Sequence, residues 1–300
     1  SSDFLNLLFI KHVQSNFKCK ALYLGYMVRK LLLVYLKRIP YDDRDNYINK
    51  RVDTTGILLT NLFKLQYTNM LKEVERGIKR EFITGSWKSH NNINELINKY
   101  NIYKIFKGTT IENGIKTAIA TGNFGSSKSQ FLKTGVAQLL NRLSFYSVIS
   151  HLRRINTPIE KSGKLVSPRK LNGSSYGYIC PNETPEGASI GLLKNLATSA
   201  LITSYYSSEH ILHILKKLNI ILFSDIYTIN YNELLCNTKI FVNGDWVGYT
   251  FNSVYIYNQL KYYKHNGIIN VYTAIVLNHK TNEIYINTDA GRCIRPLYIL

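Results

Sequence analysis

Apolar spacing along the chain predicts a helical first part and a mixed second part. Residues 18 to 38, KCKALYLGYMVRKLLLVYLKR, hold the densest apolar run, but Lys20, Arg29 and Lys30 interrupt it. No stretch of about 20 apolar residues is left to cross a bilayer. The window predicts a buried amphipathic helix that ends before Pro40. Asp53 or Thr54 can cap a second helix, and the stripe of Ile57, Leu58, Leu62, Leu65 and Leu71 carries it to about Phe82. Gly85 to Asn98 is polar and Asn-rich and predicts a loop or short helix. From Gly135 onward, Val136, Leu140 and Leu143 recur at helical spacing opposite Gln138, Asn141 and Arg142, which predicts an amphipathic helix running into a basic loop. After Leu196 acids return and β-branched and tyrosine-rich runs begin. Ser208 to Leu218 predicts a helix, and Ile240 to Tyr249 a hairpin about an Asn-Gly turn. Asn252 to Gly267 predicts a tyrosine-rich helix, and 271–277 with 283–287 two strands about a turn at Asn278 to Asn282.

Composition narrows the class. An apolar content of 45% over 300 residues excludes a disordered chain and suffices for two or three domains with cores. The net charge of +19 and a pI near 9.6 favour a nucleic acid or an anionic membrane surface as partner. Asn, Lys, Ile and Tyr share A/T-rich codons, which discounts the bulk charge but not its clustering. From Asn113 to Asn182 the only carboxylate is Glu160, against Lys116, Lys128, Lys133, Arg142, Arg153, Arg154, Lys161, Lys164, Arg169 and Lys170. Such one-signed charge suits a polyanion. Cys19, Cys180, Cys236 and Cys293 are too dispersed for a zinc knuckle or a disulfide framework, so a reducing compartment is the default. The chain starts Ser-Ser-Asp without a signal-peptide pattern and reads as an internal fragment.

Three segments invite specific chemistry. Asp42, Asp43 and Asp45 resemble a metal-holding cluster, but Arg44, Lys50 and Arg51 among them favour internal ion pairs. Thr121 to Lys133, TGNFGSSKSQFLK, nearly spells a phosphate-binding loop; Ser127 stands where the second glycine is needed, so a true P-loop is rejected. Cys180 to Gly187, CPNETPEG, is a rigid turn that holds Glu186 in one orientation. Two uses of that carboxylate stay open, an internal ion pair and an outward-facing role. The tyrosines Tyr255, Tyr257, Tyr262 and Tyr263 can pack or stack on bases, with packing favoured.

The stretch SHLRRINTPIEKSGKLVSPRKLNGSSYGYICPNETPEGASIGLLKNLA resembles the fork region of the second-largest subunit of multisubunit DNA-directed RNA polymerases, of the eukaryotic, archaeal and large-DNA-virus type. KALYLGYMVRKLLLVYLKRIPYDDRDNYINKRVDTTGILLTNLF resembles the passage from lobe to fork, and TDAGRCIRPLYIL the exit from the external domain. The resemblance implies an α+β, multi-domain piece of that subunit: 1–105 the helical end of the lobe, 106–200 the fork with two fork loops at 121–133 and 157–165, and 201–300 a mixed α/β external domain leading to a hybrid-binding domain. It implies a part in template-directed RNA synthesis, lining the active centre, the RNA–DNA hybrid and the downstream DNA. By the same resemblance Gln138, Arg169 and Glu186 line the active centre, and Lys128, Lys133, Arg142, Arg153, Arg154, Lys161, Lys164 and Lys170 bind nucleic acid.

No catalytic or metal residue is expected in this chain. The resemblance implies Mg2+ held mainly by the largest subunit, and as partners that subunit, other polymerase subunits, DNA template, nascent RNA and nucleoside triphosphates. No membrane is expected, and the location is intracellular: nucleus or cytoplasm, or a virion or viral factory for a viral source. The alternative from another class is a non-catalytic nucleic-acid-binding module or a diverged polymerase relic.

Overall fold

The five residues Thr238 to Val242 are all buried, which marks a strand covered on both faces. The computed structural model describes residues 9–10, 12–13, 17–84, 102–125, 133–163, 165–218, 220–223 and 236–297. They form two packed units, 53–171 with 179–197, and 1–52 with 172–178 and 198–300.

In the second of these, helix α1 (Phe17–Tyr35) and helices α6 (Glu209–Lys217) and α7 (Ser253–His265) pack on a mixed sheet. Its strands are β4 (Ile221–Leu222), β5 (Thr238–Val242), β6 (Asp245–Thr250), β7 (Ala274–Asn278) and β8 (Glu283–Asn287), in the order β4-β6-β5-β8-β7. All pairs are antiparallel except β5 with β8. Alternate residues serve opposite faces. Ile240, Val242, Ile284 and Ile286 pack with Ile211, Leu215, Ile256 and Leu260 from α6 and α7. Phe241 and Tyr285 turn the other way, to Trp246, Tyr249, Cys19, Leu22 and Tyr26. The expected hairpin is β5–β6, with Asn243 (φ 51) and Gly244 (φ 87) in its turn. The expected helix at 252–267 is α7, capped by the Asn252 side chain. Tyr263 packs on the core while Tyr255 and Tyr262 are exposed. Strand β9 (Cys293–Ile294) pairs with β3 (Leu201–Ile202).

A charged group sits inside this unit. The Glu283 carboxylate, 2% exposed, accepts from Tyr26 Oη, from Tyr285 Oη at 2.5 Å and from Lys30 Nζ at 3.2 Å. Burial opposes the charge and is the largest single influence. The two hydroxyl donors and the Lys30 ammonium outweigh it together and hold the carboxyl below its usual range. The same carboxylate, with burial as the leading cause, pushes both tyrosine hydroxyls upward. Lys20, Arg29 and Lys30 thus interrupt the apolar run of α1 with one cation serving the sheet. No helix among the described residues is long and apolar enough to cross a membrane.

The other unit is helical at first. Helix α2 (Thr55–Thr84) packs on α4 (Thr109–Thr121) through Leu58, Leu62, Ile115 and Ala118, with Phe124, Val136 and Ala137 closing the cluster. A short α3 (Ile102–Ile105) precedes α4. The expectation at Gly85 to Asn98 lies outside the described residues. The expected helix from Gly135 is corrected: 135–143 has no regular structure, and helix α5 begins at Phe145 and ends at Leu152. Val136 reaches the core, and its N–H donates to Gly122 O at 2.7 Å, which holds the segment over the end of α4. Leu139 and Leu143 are 96% and 89% exposed. Polar side chains take the backbone groups a helix needs: the Asn141 carbonyl oxygen accepts from Leu143 N, and Ser144 with Ser147 forms a capping box that starts α5 afresh.

For Glu283 the sign of the pH dependence follows from its lowered pKa. Its stabilisation is complete above the unfolded value, about 4.3, and is lost as pH falls through the lower folded value. Glu283→Gln is expected to destabilise by roughly 2–4 kcal/mol at neutral pH, because buried donors lose a charged acceptor. Urea denaturation of both proteins is expected to show this gap unchanged at neutral pH and shrinking as pH falls below about 4.3, the unfolded value. A gap independent of pH contradicts the assignment.

Candidate nucleic-acid interface

The site grows from a short ribbon. Strand β1 (Arg154–Asn156) pairs antiparallel with β2 (Leu193–Asn195), Arg154 opposite Asn195, and the ribbon follows α5 directly. Cys180 N donates to Asn195 O at 2.9 Å and Ile179 bridges Leu196, so the turn from Cys180 to Gly187 leaves from the same ribbon. Four side chains fix that turn. Glu183 accepts from Ser150 Oγ and from Asn195 Nδ2 at 2.9 Å; Asn195 Nδ2 also lies 2.9 Å from Ser150 O. Thr184 Oγ1 accepts from Gly191 N at 2.9 Å and donates to Leu193 O at 3.0 Å. Gly191 has φ +69, and a Cβ there would lie 2.4 Å from Arg169 O, so the chain crosses too closely for any side chain.

Of the two glutamates in the turn, the sequence reading singled out Glu186, and the structure locks Glu183. Glu186 is exposed and makes no ion pair with a described residue. No internal ion pair of Glu186 is found among the described residues, and its carboxylate is carried on a turn fixed by Glu183 and Thr184.

The candidate cations divide by what their donors meet. Arg169 Nη1 donates to Ala188 O (2.8 Å) and Ile190 O (3.0 Å), and Nη2 to Lys161 O (2.8 Å) and Gly163 O (3.4 Å). It fastens the 157–165 loop to the 188–190 turn. Arg153 Nη2 donates to Ala197 O at 2.6 Å, and Lys133 pairs with Asp53. Arg142, Arg154, Lys161 and Lys170 are exposed, and their side chains have no hydrogen bond or ion pair to a described residue. Lys128 and Lys164 lie outside the described residues. Phe124 and Lys133 exchange two 2.8 Å backbone hydrogen bonds that close the base of the 121–133 loop. Within the 157–165 loop Gly163 N donates to Glu160 O and Ser162 Oγ to Glu160 Oε1 at 2.7 Å.

Gln138 is held from both ends. Its Nε2 donates to Gly135 O at 2.9 Å and its Oε1 lies 3.0 Å from His151 Nε2. His151, Ser150, Glu183 and Asn195 were not singled out from the sequence. All four lie in the stretch that carries the fork resemblance, but their contacts join residues 12 to 45 positions apart, which spacing alone does not pair.

Among the described residues no group of three His, Cys, Asp or Glu could hold a metal ion. Asp43 accepts from Asp45 N at 2.9 Å and from Asn172 Nδ2 at 2.8 Å, and Asp45 pairs with Lys50 at 3.3 Å. That acidic cluster braces its own turn and does not fit a magnesium pair. Among the described residues the arrangement leaves four exposed cations and no cluster of metal ligands.

Comparison with known proteins agrees in order along the chain. Family models for RNA polymerase Rpb2 match at domain 2 (residues 4–53), domain 3 (138–202) and domain 4 (240–300). DNA-directed RNA polymerase II subunit 2 of Arabidopsis thaliana is 37% identical, over 99% of this chain and 24% of that protein. The RPB2 subunit of Encephalitozoon cuniculi is 37% identical over 100% of this chain and 25% of its own length. The subunit 2 protein of Acanthamoeba polyphaga mimivirus is 36% identical over 92% and 23%. The chain spans about a quarter of the length of these curated relatives. Three successive domain models and identity along the whole chain place it in one family: it belongs to the Rpb2 family, the second-largest subunits of multisubunit DNA-directed RNA polymerases.

Proposed function

We propose that this chain serves template-directed RNA synthesis as part of a polymerase second-largest subunit, lining the RNA–DNA hybrid and downstream DNA beside the active centre. The observation that carries this reading is the set of exposed cations Arg142, Arg154, Lys161 and Lys170 within the residues matched by the Rpb2 domain 3 model. They are mounted on a ribbon and loops whose own backbone is held by Asn195, Glu183 and Arg169. Cations so disposed meet phosphates, which positions nucleic acid without reading its sequence. Gln138 and Glu186 face the reacting nucleotide in this proposal, and Arg169 acts by holding the loop that borders it.

The division into lobe (1–105), fork (106–200) and external domain (201–300) belongs to the same proposal. So do the partners: a largest subunit and other subunits, template DNA, nascent RNA and nucleoside triphosphates, inside the cell. The reaction is nucleotidyl transfer, with magnesium held by the largest subunit and supplying charge stabilisation at the transferring phosphate. This chain contributes orientation.

Binding of the chain to unrelated duplexes and bubbles is expected to weaken steeply with salt and to vary little with sequence. Each of Arg142, Arg154, Lys161 and Lys170 replaced by Ala is expected to flatten the log–log salt slope by roughly 0.7–0.9. Unchanged slopes in all four variants contradict the interface.

Within the assembled enzyme Glu186→Ala is expected to slow elongation by roughly tenfold or more, about 1.4 kcal/mol, and to leave DNA loading near wild type. Normal elongation with failed loading contradicts the placement. The chain alone, given template, nucleotides and magnesium, is expected to make no RNA, because two-metal chemistry needs convergent carboxylates. Incorporation abolished by Asp43→Ala with Asp45→Ala overturns that division of labour.

A further inference from the structure

The exposed segment 138–151 contains a hydrogen-bond chain in which every direction is forced. Asn141 N lies 3.1 Å from His151 Nδ1, and a backbone N–H can only donate. His151 Nδ1 is therefore the acceptor, so the neutral ring carries its proton on Nε2. Nε2 lies 3.0 Å from Gln138 Oε1 and donates to it. Gln138 Nε2 then donates to Gly135 O at 2.9 Å, and a carbonyl can only accept. No link can be reversed without losing another.

We infer that His151 is a positioning residue for Gln138: as the Nε2–H tautomer it fixes the Gln138 amide plane and leaves one amide N–H for a ligand. This rests on the reading that Gln138 faces the reaction centre. Exposed hydrogen bonds compete with water and stabilise a fold little. Ordering two side chains on an open segment without regular structure therefore does more for orientation than for stability. The helix end makes this possible. Ser144 and Ser147 cap α5, which places His151 in its last turn, facing a segment without regular structure whose start is anchored by the Val136 N–H on Gly122 O. Gln138 has a second amide hydrogen with no described acceptor, and its direction is set once the other three positions are occupied.

Two substitutions separate the two ring nitrogens. His151→Gln keeps a donor near the Nε2 position, and His151→Asn keeps an acceptor near Nδ1 but loses the donor. With the chain labelled at histidine nitrogen, NMR is expected to find His151 as the Nε2–H tautomer, with that proton slowed in exchange and released by Gln138→Ala. An Nδ1–H tautomer, or exchange indifferent to Gln138→Ala, overturns the inference whatever the kinetics. In the assembled polymerase, single-nucleotide incorporation should show His151→Asn reproducing the split between KM and kcat of Gln138→Ala. His151→Gln should stay within about twofold of wild type, and the double variant should lose no more than Gln138→Ala alone. Losses that multiply in the double variant, or a normal His151→Asn beside an impaired Gln138→Ala, overturn it. A kinetically normal Gln138→Ala with the NMR result intact rejects the placement of Gln138 at the reaction centre and leaves the positioning contact established.

Discussion

One buried amide holds the candidate interface together. Asn195 is 3% exposed, and its Nδ2 lies within 3.0 Å of Ser150 O, Ser150 Oγ and Glu183 Oε1. Its backbone oxygen accepts from Cys180, and its strand pairs with the one carrying Arg154. The last turn of α5, the β1–β2 ribbon and the turn from Cys180 to Gly187 thus meet at a single residue. An amide buried without partners is costly, so the three elements are held in the one arrangement that satisfies it. Arg154 and Glu186, exposed and unpaired among the described residues, take their positions from that arrangement.

The same economy explains why the basic residues of one loop region do different work. Arg169 directs four contacts at backbone carbonyls, a use that suits the fixed fork of a guanidinium and that a lysine would not reproduce. Those contacts bind the segment at Lys161 and Gly163 to the turn at Ala188 and Ile190, leaving the Lys161 ammonium outside. Lys133, at the base of one loop, ties that base to Asp53 through an ion pair. A basic surface that consisted only of free cations would have no means of holding its own loops against mutual repulsion.

Much of this was legible in the sequence where a long element declares itself. The helices α1, α2 and α7 and the Asn-Gly turn of β5–β6 sit close to where spacing places them. The expected burial of α1 is corrected: Leu24, Met27, Val28, Leu31 and Leu32 are exposed, and only its side toward Phe241 and Trp246 is packed. The segment 135–143 misled because Val136, Leu140 and Leu143 keep helical spacing while Asn141, Ser144 and Gln138 satisfy the backbone locally and forbid the helix. The resemblance points to Glu186, and spacing does not say that its neighbour Glu183 meets donors supplied from residues 150 and 195. The resemblance sets Arg169 at the active centre, and nothing in the sequence tells that its donors are taken up by the carbonyls of Lys161, Gly163, Ala188 and Ile190. Charge along a chain reports which residues are cationic, and only packing reports which of them meet carbonyls.

The central claim is that Arg142, Arg154, Lys161 and Lys170 face phosphate while Arg169 holds the loop. A structure of the assembled polymerase on a DNA template with an RNA primer tests it most directly. The account expects phosphate oxygens within hydrogen-bond reach of those four cations, with the Arg169 guanidinium still on the carbonyls of Lys161, Ala188 and Ile190. Cations buried against carboxylates of a neighbouring subunit, with nucleic acid running elsewhere, would contradict it.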